Sequence, residues 1–197
     1  MNTINFYNSK SIDLINRYDN ADMTELHKIF LQYIKPRCRI LDIGFGSGRD
    51  LQFLKENSCD IWGIDPSSKF VQNIQTKFPD ISNHFIQDKV PFSTNKPPFS
   101  IKFDAIITVA MWMHLKKEQY ENVINDIVKI TKDKAFILIS YSIGNRIEDQ
   151  RYFEDVDLKY MIQLFGQHNF TLIKTTSTKD SLNRDALTWI TIIFKND

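Results

Sequence analysis

The sequence predicts an α/β fold in which a mostly parallel sheet lies between layers of helices. Short apolar runs, each long enough for one buried strand, alternate with segments whose apolar residues recur at helical spacing. The first three runs carry an aspartate at or near their ends, as expected for strands that meet at one edge of a parallel sheet. The length of 197 residues suits one domain. We therefore expect a single domain over residues 1–197, with a cap segment at 1–36 and the sheet-forming core at 37–197.

The cap segment is expected to contain one clear helix that covers the sheet. Residues Met1 to Tyr18 are polar with scattered aromatic side chains, which favours irregular structure or a short helix. Asp22, followed three positions later by Glu25, resembles a capping box at a helix start. An apolar stripe at helical spacing follows, and Pro36 ends it. The members of the stripe are Leu26, Ile29, Phe30, Tyr33 and Ile34.

Residues Arg39 to Asp50 form the most informative stretch of the chain. An apolar strand comes first, then a turn with glycines at alternate positions, and then the start of a helix. Glycine keeps side chains out of the turn and adopts backbone angles that are costly for other residues. The N–H groups at the start of the helix point back toward the turn. The stretch therefore predicts a loop that presses its backbone against a ligand. Its glycines are Gly44, Gly46 and Gly48.

Two details separate this loop from one that binds a dinucleotide. The spacing is G-x-G-x-G where dinucleotide sites have G-x-G-x-x-G, and Asp42 stands two residues before the first glycine. A carboxylate at that point would repel a pyrophosphate and attract an ammonium or a sulfonium. The stretch from Asp42 resembles the first motif of class I S-adenosylmethionine-dependent methyltransferases, D-x-G-x-G-x-G. Ser47 to Asp50 resembles the G-S-G-R-D form of small bacterial members, and the chain is identified as a member of that family.

The resemblance implies both a fold and a cofactor. The fold is a three-layer α/β sandwich with a Rossmann-like, seven-stranded sheet of order 3-2-1-4-5-7-6, mostly parallel with an antiparallel last strand. The cofactor is S-adenosylmethionine, and the product is S-adenosylhomocysteine. The residues implied to bind the cofactor are Tyr18, Asp42, Gly44, Phe45, Gly46, Gly48, Arg49, Asp65, Pro66, Asp88, Lys89, Ala110 and Met111.

The second and third predicted strands also end in carboxylates. The second runs from Ile61 to Asp65, and a carboxylate at its end can accept both ribose hydroxyls of a nucleoside. That role suits NAD and S-adenosylmethionine equally, and the alternative for Asp65 is a cap on the next helix. The third strand runs from His84 to Asp88. The resemblance assigns Asp88 to the adenine amino group, against the alternative of a solvated loop residue.

The fourth predicted strand, from Phe103 to Ala110, leads to the place where the resemblance puts the reactive sulfonium. Met111 and Trp112 follow and could wall the methionine part of the cofactor. Phe45, which replaces a smaller residue common in the family, would narrow the pocket around the methionine part of the cofactor. His114 is the only imidazole near this position. Its ordinary pKa suits a general base, and the alternative is a packing or hydrogen-bonding role.

The last third of the chain is expected to complete the sheet and the acceptor pocket. Ala135 to Tyr141 is the fifth strand, and the loop from Ser142 to Arg146 opens toward the cofactor edge. Phe170 to Ser177 and Ala186 to Phe194 are predicted to form a closing antiparallel hairpin. The connection between them contains Arg184 and Asp185, which could face the substrate or lie in a solvated turn, and the turn is favoured.

Composition narrows the function classes. The 25 basic residues balance 24 acidic ones, and no basic block extends beyond Lys116-Lys117, so the sequence carries no electrostatic footprint of a nucleic-acid binder. Cys38 and Cys59 are too few for a disulfide framework or a zinc site, and the four histidines are scattered. The sequence also lacks an apolar signal core and a run long enough to span a membrane. We therefore expect a cytoplasmic, soluble and metal-independent domain.

Three functions remain open at this point. The leading one is methyl transfer from S-adenosylmethionine to an oxygen or nitrogen nucleophile, most readily on a small molecule, with RNA or protein as the runner-up acceptor. The second is a catalytically silent module that binds the same cofactor, which shares every motif and differs only in turnover. The third is a nicotinamide-dependent oxidoreductase. Asp42 opposes that function, and the short chain leaves no room for a separate substrate domain.

Overall fold

The computed structural model describes residues 3–94, 96–144, 151–180, 182 and 187–197. Within these residues, seven strands form one sheet. The strands are β1 Arg39–Ile43, β2 Asp60–Asp65, β3 Phe85–Gln87, β4 Phe103–Val109, β5 Thr131–Gly144, β6 Phe170–Lys179 and β7 Leu187–Asn196. The α-helices are α1 Thr3–Ser9, α2 Ser11–Asp19, α3 Thr24–Tyr33, α4 Arg49–Glu56, α5 Ser68–Lys77, α6 Tyr120–Lys129 and α7 Leu158–Gly166.

The strand order is β3-β2-β1-β4-β5-β7-β6. β7 runs antiparallel to both of its neighbours, while the other neighbouring strands pair in parallel. The predicted order and the antiparallel last strand are therefore confirmed. The carboxyl ends of β1 to β4 lie at one edge of the sheet, and the connections after these strands can build a ligand site there.

Two apolar cores lie on opposite faces of the sheet. Alternate residues of each strand point to opposite faces, so Ile40 joins one core and Leu41 the other. Buried side chains of α2, α3, α4 and α5 cover the Ile40 face. Those of α6 and α7 cover the Leu41 face. This arrangement confirms the predicted three-layer sandwich.

The cap segment differs from its prediction. Residues 3–19 form two successive helices, α1 and α2, where irregular structure or one short helix was expected. Leu14 of α2 is buried against the Ile40 face. Asn8 of α1 accepts a hydrogen bond from the Ser67 hydroxyl at 2.7 Å, beside the start of α5. These contacts need partners that are distant in sequence, which is why local patterns did not show them.

The capping box expected at the start of α3 is wrong. The helix begins at Thr24, whose backbone N–H donates to Asp22 Oδ1 at 2.9 Å. Glu25 pairs with Lys28 Nζ at 2.7 Å and does not reach back to the chain before the helix. Asp22 therefore forms a local turn one step before the helix, while α3 ends before Pro36 as expected.

Several strand boundaries differ from the prediction by a few residues, and the differences in β3 and β5 concern the connections near the cavity. His84 belongs to a 3₁₀ turn at Pro79–His84, so β3 is three residues long and Asp88 follows it in a loop. β5 extends at both ends beyond the predicted Ala135 to Tyr141. The predictions for Asn145, Arg146, Arg184 and Asp185 fall outside the described residues. None of the helices in the described ranges has the length and apolar character needed to cross a membrane.

Candidate active site

A cavity of about 1220 Å³ opens at the carboxyl edge of the sheet. Ligand clefts in proteins commonly measure about 300–1,000 Å³. The cavity therefore has room for more than one small ligand. Every residue predicted to bind the cofactor except Gly48 lines it, and so does His114.

The two halves of the cavity differ in chemistry. The acidic half is formed by residues from 42–50, 65–66 and 88–90, which follow β1, β2 and β3. The aromatic half is formed by residues from 3–7, 110–116, 151–153 and 187–189. The first half carries carboxylates beside exposed backbone, and the second carries rings, methionines and basic side chains.

The glycine loop has the geometry that its sequence requires. Gly44 and Gly46 adopt φ angles of 80° and 56°, in the left-handed region that favours glycine. A Cβ atom on Gly44 would lie 3.3 Å from Met111 Cγ, so a side chain would also crowd the wall of the cavity. The Gly46 N–H donates to Asp65 Oδ2 at 2.9 Å, and the Gly44 N–H donates to the Ile64 carbonyl at 2.8 Å. The loop is thus held in place by β2 before any ligand arrives.

Gly48 has a different role from the other two loop glycines. It precedes the first residue of α4, and a Cβ atom there would collide with the end of the Ile74 side chain on α5. Gly48 does not line the cavity. Gly48 lets the start of α4 pack closely on α5, and its part in binding the cofactor stays a prediction.

Asp42 carries a carboxylate oxygen with no hydrogen-bond partner among the described residues. Its side chain lines the cavity and is 1 % exposed, and Oδ1 is the unsatisfied atom. Burial, with the nearby carboxylates of Asp50 and Asp65, raises the pKa of Asp42 well above its ordinary value, and Arg49 only partly offsets this. An unpaired buried carboxylate oxygen is costly, so a cationic hydrogen-bond donor in the cavity would be strongly favoured next to it.

Asp65 holds the loop and faces the cavity at the same time. Its Oδ1 accepts from the Ser67 N–H at 2.8 Å and its Oδ2 from the Gly46 N–H. Burial raises the pKa of Asp65 to about 6, although these two hydrogen bonds act in the opposite direction. The cap of α5 is Ser67, whose hydroxyl accepts from the Phe70 N–H at 3.3 Å. Asp65 is therefore not the helix cap, and each of its oxygens retains a second lone pair for a ligand.

Asp88 lies on the same wall, in the loop after β3. Its Oδ1 accepts from the Ser93 hydroxyl at 2.6 Å and from the Lys89 N–H at 2.8 Å. The side chain is partly buried and lines the cavity with Lys89 and Pro66. The structure thus brings the three predicted aspartates together at adjacent strand ends.

A buried ionic cluster joins the acidic half to the cap segment, and the sequence reasoning missed its centre, Asp50. Arg49 donates to Asp50 Oδ2 at 3.0 Å and to the Tyr18 carbonyl at 3.0 Å. His27 of α3 contacts Asp50 Oδ1 through Nε2 at 2.8 Å and stacks on Phe53. Burial acts to raise the pKa of Asp50, yet the Arg49 charge and the His27 hydrogen bond lower it to about 2. Arg49 and Tyr18 line the cavity, but the guanidinium of Arg49 serves mainly as a clamp.

Phe45 is accommodated by a glycine on the neighbouring strand. Its ring is 6 % exposed, and a Cβ atom on Gly63 of β2 would lie only 2.6 Å from Phe45 Cδ1. The ring also meets Phe85 edge to face, with centroids 6.2 Å apart. Phe45 shares the wall of the cavity, and the narrowing that we expect there stays a prediction.

The turn after β4 corrects one assignment. Trp112 is fully buried, and its indole N–H donates to the Thr108 hydroxyl at 2.9 Å, so it belongs to the core and not to the cavity wall. Met113 lines the cavity with Met111 instead. Ala110 has a φ of 61°, unusual for a residue other than glycine, and its N–H donates to the Ser140 carbonyl at 2.8 Å. Strain of this kind is typical of functional sites.

His114 is held from both sides in the aromatic half. Nδ1 lies 2.7 Å from the Tyr152 carbonyl, and Nε2 lies 2.9 Å from the Tyr7 hydroxyl. A carbonyl can only accept, so the proton is assigned to Nδ1, and in the neutral ring Nε2 accepts from Tyr7. The Tyr7 hydroxyl in turn accepts from Arg151 at 3.1 Å. Neither Tyr7 nor Arg151 was predicted as a site residue, because no local spacing links them to His114.

No cluster of histidine, cysteine, aspartate and glutamate suited to a metal ion occurs in the part of the chain that the structure describes. The carboxylates of the acidic half and the rings of the aromatic half together suit a ligand with positive charge placed beside a second, flatter molecule.

The chain matches known proteins at the level of family, sequence and fold. A family model described as a methyltransferase domain matches residues 15–184. An uncharacterized methyltransferase of Staphylococcus carnosus is 26% identical over 157 residues, covering 74% of this chain and 70% of that protein.

Two solved structures show the same fold at low sequence identity. One is the 1,6-didemethyltoxoflavin-N1-methyltransferase of Burkholderia thailandensis, with bound 1,6-didemethyltoxoflavin and S-adenosylhomocysteine. It is 14% identical with a TM-score of 0.74, over 98% of this chain and 87% of that one. The other is the magnesium protoporphyrin IX methyltransferase of Synechocystis PCC 6803 with bound S-adenosylhomocysteine. It is 13% identical with a TM-score of 0.71, over 98% and 97% of the two chains.

Proposed function

The chain belongs to the class I S-adenosylmethionine-dependent methyltransferases, and from this premise we propose that it methylates an oxygen or nitrogen nucleophile on a small molecule. S-adenosylmethionine is the cofactor of the family. When bound, it supplies the methyl group and a sulfur leaving group that carries the positive charge.

The observation that carries the proposal is the unpaired Oδ1 of Asp42 in the wall of the cavity. The cofactor brings an ammonium, which can donate to that oxygen. Asp65 would accept the ribose hydroxyls and Asp88 the adenine amino group. The remaining proposed contacts come from the loop and the cavity walls and are Tyr18, Gly44, Phe45, Gly46, Arg49, Pro66, Lys89, Ala110 and Met111.

A small acceptor fits the aromatic half better than a polymer does. Helix α1 lies over the cavity, and its Thr3 hydroxyl accepts from the Tyr152 N–H at 3.0 Å, while Tyr7 accepts from Arg151. These contacts form a roof that an RNA or protein segment would have to displace. The net charge of +1 gives no support to a nucleic-acid acceptor. The names of the two similar solved enzymes also refer to small molecules.

The proposed chemistry asks the protein for orientation and for removal of a proton. Holding the two reactants in line can lower a barrier by roughly 7–11 kcal/mol in favourable cases. The cap segment and the loop would provide this alignment and exclude water. His114 is the proposed base, since its Nε2 carries the lone pair of the neutral ring in the aromatic half.

The experiment has a binding stage and a transfer stage. Calorimetry with S-adenosylmethionine, S-adenosylhomocysteine and NADH should show binding of the two sulfur compounds only.

The protein is then incubated with methyl-labelled cofactor and a cell extract separated into small molecules, RNA and protein. Asp42→Asn, purified in the same way, gives the background from contaminating enzymes. We expect label in the small-molecule fraction. Label confined to RNA or protein would contradict the proposed acceptor, and binding without transfer would favour a silent module.

A further inference from the structure

Tyr7 lies between side chains from two elements that line the cavity. Its ring centroid lies 6.0 Å from that of Phe70 on α5, which follows β2. It also lies 5.8 Å from the ring of His114, which follows β4. The family resemblance places the reactive sulfonium at the end of β4, so Tyr7 lies beside the position proposed for the methyl group and the attacking atom.

Tyr7 connects the cavity to the lone pair of His114. Its hydroxyl donates to His114 Nε2 at 2.9 Å and accepts from Arg151 at 3.1 Å. A hydroxyl has one donor and two acceptor sites, so one lone pair of the oxygen remains for a ligand in the cavity. An acceptor molecule thus reaches His114 Nε2 most directly through the Tyr7 oxygen.

The surroundings keep the Tyr7 hydroxyl protonated. Burial raises the pKa of Tyr7 above its ordinary value, and Tyr18 and Asp65 act in the same direction, while Arg151 acts against them. Among the described residues, Tyr18, Asp65, Arg151 and His114 are titratable groups that face Tyr7. His114 itself faces Tyr7, the Tyr152 carbonyl and the Phe153 ring. A neutral Tyr7 cannot serve as the final base, but it can pass a proton on.

We propose that Tyr7 takes the proton of the acceptor while giving its own to His114, and that the acceptor is a planar molecule with an ionisable hydroxyl. This rests on the proposed function and names the class of its substrate. Tyr7 is then a catalytic residue that touches the acceptor, and His114 is the end of the relay.

The step balances in atoms and charge. A bond forms between the acceptor oxygen and the methyl carbon, while the bond from that carbon to sulfur breaks and leaves its electron pair on sulfur. The hydroxyl proton of the acceptor moves to the Tyr7 oxygen, and the Tyr7 proton moves to His114 Nε2. The imidazolium that results keeps donating through Nδ1 to the Tyr152 carbonyl. Arg151, which already donates to the Tyr7 oxygen, stabilises negative charge that develops there.

The lining of the aromatic half and the presence of a relay indicate this acceptor class. Tyr7, Phe153 and Trp189 line the cavity together with Met111 and Met113, and a surface of rings and thioethers suits a flat molecule. A neutral amine attacks with its lone pair and can lose its proton afterwards. A neutral hydroxyl is a poor nucleophile until its proton is drawn away. A proton relay at the reacting position therefore favours a hydroxyl.

The test uses para-nitrophenol as a probe, because its ionised form absorbs visible light and no turnover is needed. The probe is titrated against pH in the complex of the protein with S-adenosylhomocysteine. Tyr7→Phe and His114→Gln remove the two members of the relay. Tyr33→Phe is the matched control, since Tyr33 lies on α3 against Phe136, outside the cavity. The affinity for S-adenosylhomocysteine is measured for each protein.

We expect the ratio of ionised to neutral probe, at a pH below its solution pKa, to be about tenfold higher when bound to the wild type, equivalent to one pKa unit. Tyr33→Phe should keep this increase, and Tyr7→Phe and His114→Gln should lose it. The two relay variants should still bind S-adenosylhomocysteine with an affinity within about twofold of the wild type.

The inference is overturned if the probe does not bind, if its ionisation does not change, or if either relay variant keeps the increase. If Tyr7 and His114 only held α1 in place, the two variants would alter the affinity for S-adenosylhomocysteine and leave the ionisation of the probe unchanged. Failure of the wild type to bind S-adenosylhomocysteine would instead overturn the proposed function.

Discussion

The two halves of the cavity are built by different means. The acidic half comes from short continuous stretches at the ends of adjacent parallel strands, and backbone hydrogen bonds from Gly44 and Gly46 hold it. The aromatic half comes from side chains that are far apart in sequence. Tyr7 and His114 are 107 positions apart, and Arg151 and Tyr7 are 144 apart. The first half depends mainly on the strand ends and the glycine loop, with the Asp50 cluster linking it to α3, whereas the second depends on how α1 docks.

This difference predicts a division of labour. Changes in the acidic half should alter cofactor affinity, because that half has its geometry before a ligand arrives. Changes in the aromatic half should alter transfer to the acceptor and the docking of α1, with little effect on the cofactor.

The largest effect is expected for Gly44→Ala. The new side chain would be forced into a left-handed backbone conformation and against Met111. Backbone strain of this kind costs on the order of 1–3 kcal/mol. Calorimetry should show S-adenosylhomocysteine binding weakened by about tenfold or more, with a lower melting temperature. The matched control is Gly166→Ala, where a Cβ atom would meet nothing within 4 Å. Equal losses in both variants would break the assignment of the loop to the cofactor.

Asp42→Asn is expected to weaken binding of the cofactor and to raise the stability of the ligand-free protein. The amide keeps the shape and removes the charge that would pair with an ammonium, so affinity should fall by about tenfold, the effect of one charge-assisted hydrogen bond. Because the folded-state pKa of Asp42 is raised, ionising it as the pH rises opposes folding. The variant should therefore melt at a higher temperature than the wild type at pH 7 without ligand. A variant that loses stability and keeps affinity would contradict both parts.

Asp65 makes cofactor affinity depend on pH in the acidic range. Its pKa of about 6 lies above the unfolded value, so its contribution to stability is present below about pH 4 and is lost as the pH rises through 6. Ribose binding needs the ionised form. Affinity for S-adenosylhomocysteine should therefore fall several-fold between about pH 7 and pH 5. In Asp65→Asn the affinity should be lower at pH 7 and nearly flat over this range. If the affinity of Asp65→Asn depended on pH as steeply as that of the wild type, the assignment of Asp65 to the ribose would be wrong.

The smallest effect on cofactor affinity is expected for Arg151→Gln, which lies in the aromatic half. The change removes the charge that packs against Phe6, Tyr7 and Phe153, with the guanidinium 4.8–5.6 Å from the ring centroids. S-adenosylhomocysteine affinity should change by less than about twofold, and amide hydrogens of α1 should exchange faster because the roof is weakened. A loss as large as that of Asp42→Asn would show that the two halves are not separate.

The fold and the acidic half were largely predictable from sequence. Apolar runs with alternating burial set the strands, and the glycine spacing with Asp42 indicated the cofactor loop. Local errors arose where a tertiary contact overrode a local pattern. Asp22 does not form a capping box because Glu25 pairs with Lys28 instead.

The aromatic half was only partly predictable. His114 could be named because it follows β4 closely, but its partners could not. Residues 3–19 carry no pattern that distinguishes two docked helices from irregular chain, and Trp112 looked as suitable as Met113 for the cavity wall. Trp112 turns into the core because its indole N–H finds the Thr108 hydroxyl there.

The family and the carboxylates at the strand ends could be determined from the sequence, because both depend on short-range spacing, and the order of the sheet followed from the family resemblance. The side chains that meet His114 were known only from the tertiary structure. Those contacts join chain segments more than a hundred residues apart. Such pairs form only when the cap segment packs on the finished sheet. Because hydrophobic packing is not directional, it leaves no pattern in the local spacing of residues.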